Sequence, residues 1–175
     1  MKWLVLLVGL TFLFACSNDL DDIRKVTASD NFPDETATGL QTVSTDSGLV
    51  KITLKATLME TIHLPTPITY LKDGLELTFF NEEGETEAVL TAYYGERNES
   101  TGEMFVRDSV VLKNIAAKQQ LETEELYWKK DSVYSDKAVI VKTEDAILFG
   151  KGIVANQTFT VFSIKYPTGK KEIKN

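Results

Sequence analysis

An all-β domain of antiparallel strands is the fold this sequence predicts, and three observations carry the prediction. Residues 50–58 alternate without interruption, with Val50, Ile52, Leu54, Ala56 and Leu58 on one face and Lys51, Thr53, Lys55 and Thr57 on the other. A period of two marks a half-buried strand. Residues 121–156 hold three short apolar runs, Leu126-Tyr127-Trp128, Ala138-Val139-Ile140-Val141 and Ala146-Ile147-Leu148-Phe149, split by charged or turn-prone pieces. Short runs rich in β-branched and aromatic residues read as strands joined by tight turns. Finally, no segment sustains a 3.6-residue period. The best helical candidate, residues 113–126, reads as a turn followed by a strand.

The elements follow in order. After the first strand, Pro65 and Pro67 break regular pairing and mark a crossing loop or an edge. Asp73-Gly74 reads as a turn. Leu75, Leu77 and Phe79 alternate with Glu76 and Thr78 as the next strand. Asn81-Glu82-Glu83-Gly84 is a hairpin turn, with Gly84 free to take a positive φ. Residues 88–94 return as a strand and residues 96–102 form a polar loop. Met104-Phe105-Val106 and Val110-Val111-Leu112 make one strand, bulged at Arg107-Asp108-Ser109. Gly150 and Gly152 serve strand curvature or a bulge. Residues 159–164 close the sheet and Pro167-Thr168-Gly169 stop it. A weak repeat, from Asp108 to Lys113 and from Asp136 to Lys142, suits stacked strand-and-turn units.

The N-terminus reads differently. Met1-Lys2 precedes an apolar run over residues 3–14, which is too short for a bilayer-spanning helix of about 20 residues. It has the length of a secretory signal. Leu13-Phe14-Ala15-Cys16 resembles the bacterial lipobox, in which the cysteine is acylated and begins the mature chain. Residues 1–15 are therefore expected to be a lipoprotein signal peptide, with Cys16 the lipidation site and membrane anchor. Residues 16–38 make an acylated start and an acidic, flexible tether, whose coil reaches roughly 25 Å on average. Residues 39–169 form the folded domain, and residues 170–175 a basic tail.

Composition narrows the function. The chain has 175 residues, 43% hydrophobic, with a net charge of −7. That suits one domain with a real core and argues against a nucleic-acid partner, since basic residues alternate with acidic ones. One Cys and one His cannot build a disulfide framework or a zinc cluster, so no metal and no cofactor are expected. His63 lacks a nearby partner in sequence to orient or activate it and reads as structural. The pairs Glu82-Glu83 and Glu124-Glu125 are adjacent, so on a strand their carboxylates point to opposite faces and make a poor acid/base pair. The chain therefore reads as a non-enzyme.

From Leu77 to Gly169 a longer pattern emerges. Phe79-Phe80, Asn81-Glu82-Glu83-Gly84 and Leu90-Thr91-Ala92-Tyr93-Tyr94 come first, followed by Val110-Val111-Leu112 and the run from Leu121 to Trp128. Then come Tyr134-Ser135-Asp136-Lys137-Ala138-Val139 and Leu148-Phe149-Gly150-Lys151-Gly152-Ile153, with Asn156 and Phe159. In order and spacing this resembles the LptC family of lipopolysaccharide-export proteins, in its lipoprotein type from Bacteroidetes-like bacteria. The resemblance implies a twisted open β-jelly roll of two sheets around an apolar interior. It implies a transport component that receives lipopolysaccharide from the inner-membrane ABC transporter. The lipid would pass to an LptA-like bridge protein joined edge to edge, on the periplasmic side of the envelope, with the anchor in the inner membrane. The N-terminus departs from the many members that carry a transmembrane anchor. Ile52, Leu54, Leu77, Phe79, Leu90, Val111, Val139, Ile147 and Phe149 are the candidate groove residues. The alternative is a filled core in a lipoprotein adaptor that binds only protein.

Overall fold

The computed structural model describes residues 33–63 and 65–173. The signal segment, Cys16 and most of the expected tether lie outside the described residues. Ten strands make up the domain: β1 (Glu35–Asp46), β2 (Leu49–Ile62), β3 (Ile68–Phe80), β4 (Thr86–Ala92), β5 (Tyr94–Asn98), β6 (Met104–Asn114), β7 (Gln119–Lys129), β8 (Ser132–Lys142), β9 (Ala146–Asn156) and β10 (Phe162–Glu172). They form one sheet in the order β1-β2-β3-β4-β6-β7-β8-β9-β10, with β5 continuing the line of β4 between β3 and β6. Every pairing is antiparallel. The architecture is the expected all-β antiparallel one, built as one continuous sheet instead of two separate ones.

Cross-strand rows show how the sheet is painted. One row runs Thr42, Leu54, Leu77, Leu90, Leu112, Leu121, Val141, Leu148 and Lys170 from edge to edge. Its central members are almost entirely buried. The row beside it runs Lys55, Glu76, Thr91, Val111, Glu122, Ile140 and Phe149, and is mixed and half-exposed. Because side chains alternate across a strand, one face is mainly apolar between the edges and the other carries most of the charges. There Lys55 pairs with Glu76 at 3.2 Å and Lys142 pairs with Glu122.

A sheet this wide must bury its apolar face against something, and here it folds on itself. A crease runs across the sheet from β2 to β9. On β3 Asp73 and Gly74 take φ of 61° and 107°, and together they face Thr57 of β2. Next to them the β4–β5 line breaks at Tyr93, whose N–H donates to the Asp108 carbonyl at 2.9 Å and whose carbonyl accepts from Gly74 N–H at 2.9 Å. On β6 Asp108 and Ser109 take φ of 66° and 58°. The irregularity continues between Thr123 and Tyr127 on β7 and between Ser135 and Ala138 on β8. It ends at Gly152 on β9, whose φ is 74°. Bulges bend strands and increase twist, so a line of them folds the sheet. The two Asp repeats of the sequence, at Asp108 and Asp136, both start on this crease.

Folding brings distant strands together. The rings of Phe79 on β3 and Trp128 on β7 lie 5.0 Å apart. Asn114 at the end of β6 donates through Nδ2 to the Thr158 carbonyl of the β9–β10 loop at 2.8 Å.

Several boundaries differ from the sequence reading. Asp73-Gly74 is a bulge inside a strand and not a turn, because Tyr70 and Leu71 stay paired with β2 and β5. Residues 96–98, read as loop, are the end of β5. β1 begins at Glu35, inside the expected tether; its pairing to β2 compensates for a sequence with few apolar residues. Phe159 belongs to a loop, and β10 runs through Pro167 and Gly169 to Glu172 with a register shift at that point. An edge strand tolerates such a proline, since one of its sides has no ladder to break. The hairpin turn at Gly84, the bulge at Asp108-Ser109 and the turn before β7 are as read.

Candidate lipid groove

The apolar face is closed over one half and open over the other. In the β6–β9 half, Leu112, Leu121, Val133, Val141 and Ile153 have no exposed surface, and Leu126 and Val139 almost none. In the β1–β3 half, Leu71, Leu75 and Phe79 of β3 are buried too, but Leu40, Ile52, Leu54 and Met59, packed against them from β1 and β2, are only partly buried. Between them lies a groove of about 380 Å³ walled by Ile52, Leu54, Leu71, Leu77, Phe79, Met104 and Trp128. Thr42 and Ser44 of β1, Arg97 of β5 and Gln157 of the β9–β10 loop add the polar part of its lining. A shallower depression of about 660 Å³ along the β1–β3 crease mixes Lys55 and Glu76 with its apolar atoms and suits an acyl chain less.

Each wall residue has a local reason for its place. Ile52, Leu54 and Ala56 share a face by strand alternation, and the bulge opposite Thr57 then passes the inward role to Met59. Likewise Leu121 and Thr123 point inward before the irregularity on β7, and Leu126 and Trp128 after it. The Trp128 indole N–H donates to the Lys130 carbonyl at 2.6 Å, which fixes the ring against Phe79. At the polar end Arg97 pairs with Glu99 at 3.1 Å while half-exposed, leaving guanidinium donors to solvent.

Of the nine sequence candidates, the structure brings Ile52, Leu54, Leu77 and Phe79 together as groove wall. Leu90 of β4 and Val139 of β8 lie buried on the same face but outside the groove lining. Val111, Ile147 and Phe149 stand instead on the charged face, opposite Glu122, Lys142 and Ile140 respectively. The inward residues of those strands are Val110, Leu112, Ala146 and Leu148. Sequence reasoning missed Leu71, Met104, Trp128, Arg97 and Gln157. Trp128 had a signal, sitting two residues from Leu126 in an apolar run, whereas Gln157 had none.

His63 has partners after all. Its backbone N–H donates to Asp34 Oδ2 at 2.6 Å, its Nδ1 lies 3.2 Å from the same oxygen, and its Nε2 lies 3.7 Å from Glu35 Oε1. These bonds, the backbone one foremost, hold the Asp34 carboxyl below its ordinary range. The cluster is exposed, lies outside the groove and clasps the start of β1. Among the described residues no group of three or more His, Cys, Asp or Glu is placed to hold a metal, and no helix is long and apolar enough to cross a membrane.

No curated protein matches the chain. A family model does, described as lipopolysaccharide-assembly, LptC-related, and it spans residues 3–165. That span takes in every groove residue, the crease and nearly all of the sheet. The chain belongs to the LptC-related family of lipopolysaccharide-assembly proteins.

Proposed function

We propose that this protein is a non-catalytic carrier that receives lipopolysaccharide from the inner-membrane ABC transporter and hands it to an LptA-like bridge protein. Family membership supports involvement in lipopolysaccharide transport at the cell envelope. The observation that carries the finer reading is the half-open apolar face, with Phe79 and Trp128 inside it and Arg97 at its polar end. Acyl chains gain by leaving water for such a wall, and a guanidinium suits an anionic headgroup. Acylation at Cys16 would keep the domain at the inner membrane, since several acyl chains anchor stably.

The two edges support handover by strand addition. Among the described residues β1 pairs only with β2 and β10 only with β9. β10 carries Lys165, Pro167, Lys170 and Lys171, the residue types that blunt an edge. β1 has neither lysine nor proline over 12 residues and is the more receptive edge.

The test is photo-crosslinking in cells making lipopolysaccharide, with the probe at Ile52 or Phe79 and a control at Val139. Lipid A-bearing adducts at the first two sites that require ATP hydrolysis support the carrier. Protein-only adducts at all three would mean that the groove stays empty of lipid, and would favour the adaptor reading suggested by the filled half.

A further inference from the structure

We infer that Phe159 is the floor of the groove and sets how much acyl chain it accepts. The inference rests on the carrier reading above. Phe159 lies in the loop between β9 and β10, yet it has no exposed surface. Its φ is 55°, a conformation a bulky side chain adopts only when its surroundings impose it. The surroundings are on either side of it. Gln157, two residues earlier, lines the groove. Thr158 is held by the amide of Asn114, which is itself almost fully buried. The Phe159 ring stacks on Phe162 at 5.1 Å. Asn156 locks the loop from below, its Oδ1 accepting from the N–H groups of Thr160 and Val161 at 2.8 and 2.9 Å.

The loop thus spends backbone strain to drive one aromatic ring into the interior, into the same buried cluster as the wall residues Leu71, Leu77 and Phe79. A simple hairpin connection would need neither the strain nor the buried ring. The groove that remains, about 380 Å³, has room for a single acyl chain and not for a lipid bearing several. A lipid with more chains therefore leaves the others at the open β1–β3 side, where a partner could cover them.

The experiment is native mass spectrometry of the full-length protein released from detergent micelles and titrated with saturated fatty acids from octanoate to stearate. The variants are Phe159→Ala, Phe159→Leu and Gln157→Trp. The first two deepen the groove, Leu with less risk to folding; the third narrows it from a half-exposed position. We expect wild type to reach a chain-length limit, both Phe159 variants to bind the longest acids about tenfold tighter, what roughly two further buried methylenes contribute, and Gln157→Trp to lose them. A chain-length limit unchanged in every folded variant overturns the floor and leaves the carrier reading standing. Absence of any fatty acid on wild type overturns the carrier reading, and the floor with it.

Discussion

Gly150 shows how little room single positions leave. A Cβ built there would sit 2.4 Å from Ile164 Cγ2 and 2.8 Å from the Tyr166 carbonyl oxygen, because β10 crosses β9 closely at that point. Gly150→Ala is expected to destabilise by about 1–3 kcal/mol through forced displacement of β10. Gly169→Ala, whose nearest atom is 3.8 Å away, serves as the control in the same urea titration. At the other edge, Asp34 predicts a pH dependence. Its folded pKa is lowered from 3.8 by the backbone and ring of His63. A depressed carboxyl binds its proton less well folded than unfolded, so its stabilisation is complete above that ordinary value and fades as pH falls through the lowered one. In Asp34→Asn the urea midpoint should fall less steeply over that acid window; identical slopes in the two proteins would refute the clasp. Sequence could not show this pair, since 29 residues separate partners that only strand pairing brings together.

At the scale of elements, the crease explains both what was legible and what was not. Strand alternation was readable wherever one strand was regular, as in residues 52–56 and 75–79; beyond the bulge opposite Thr57 it failed, since Met59 and not Leu58 packs inward. It failed for residues 146–149, where Ala146, Ile147, Leu148 and Phe149 are apolar at both parities and periodicity cannot choose a face. It failed also at Val111, because Val110, Val111 and Leu112 are all apolar and the bulge before them hides the register. β1 escaped notice because Leu40 is its one large apolar residue packed on the core, while Thr42 and Ser44 take the next inward places. The floor residue Phe159 was unreadable for the opposite reason, since it looked like one more strand residue. These assignments give two expected outcomes. Leu112→Ala should cost about 2–5 kcal/mol in thermal or urea unfolding, whereas Val111→Ala should cost far less, within about 1 kcal/mol. On the crease, Ser109 holds φ of 58° with a side chain that disfavours it. Ser109→Gly should stabilise by up to about 1 kcal/mol, and Ser109→Val should destabilise, by the same denaturation measurement. Loss of stability in the glycine variant would mean that the crease is held by the serine side chain and not by backbone geometry.

For the molecule as a whole, edge asymmetry governs assembly. A lysine at Val43, which is 54% exposed on β1, should weaken capture of a partner strand while leaving the urea midpoint within about 0.5 kcal/mol of wild type. Co-purification of the envelope partner with each variant checks it, and undiminished capture would move the contact away from β1. The order of strands has a consequence of a different kind. Apart from the broken β4–β5 line, each strand pairs with the strand just before and just after it in the chain. Contacts between near neighbours close short loops, so the entropy of each step is small and such topologies fold quickly for all-β proteins. A chain that emerges N-terminus first could therefore add hairpin to hairpin as it appears, with no early strand left waiting for a distant mate. The contacts that fold the sheet on itself come later: Phe79 of β3 meets Trp128 only when β7 is in place, and Asn114 meets Thr158 only after β9.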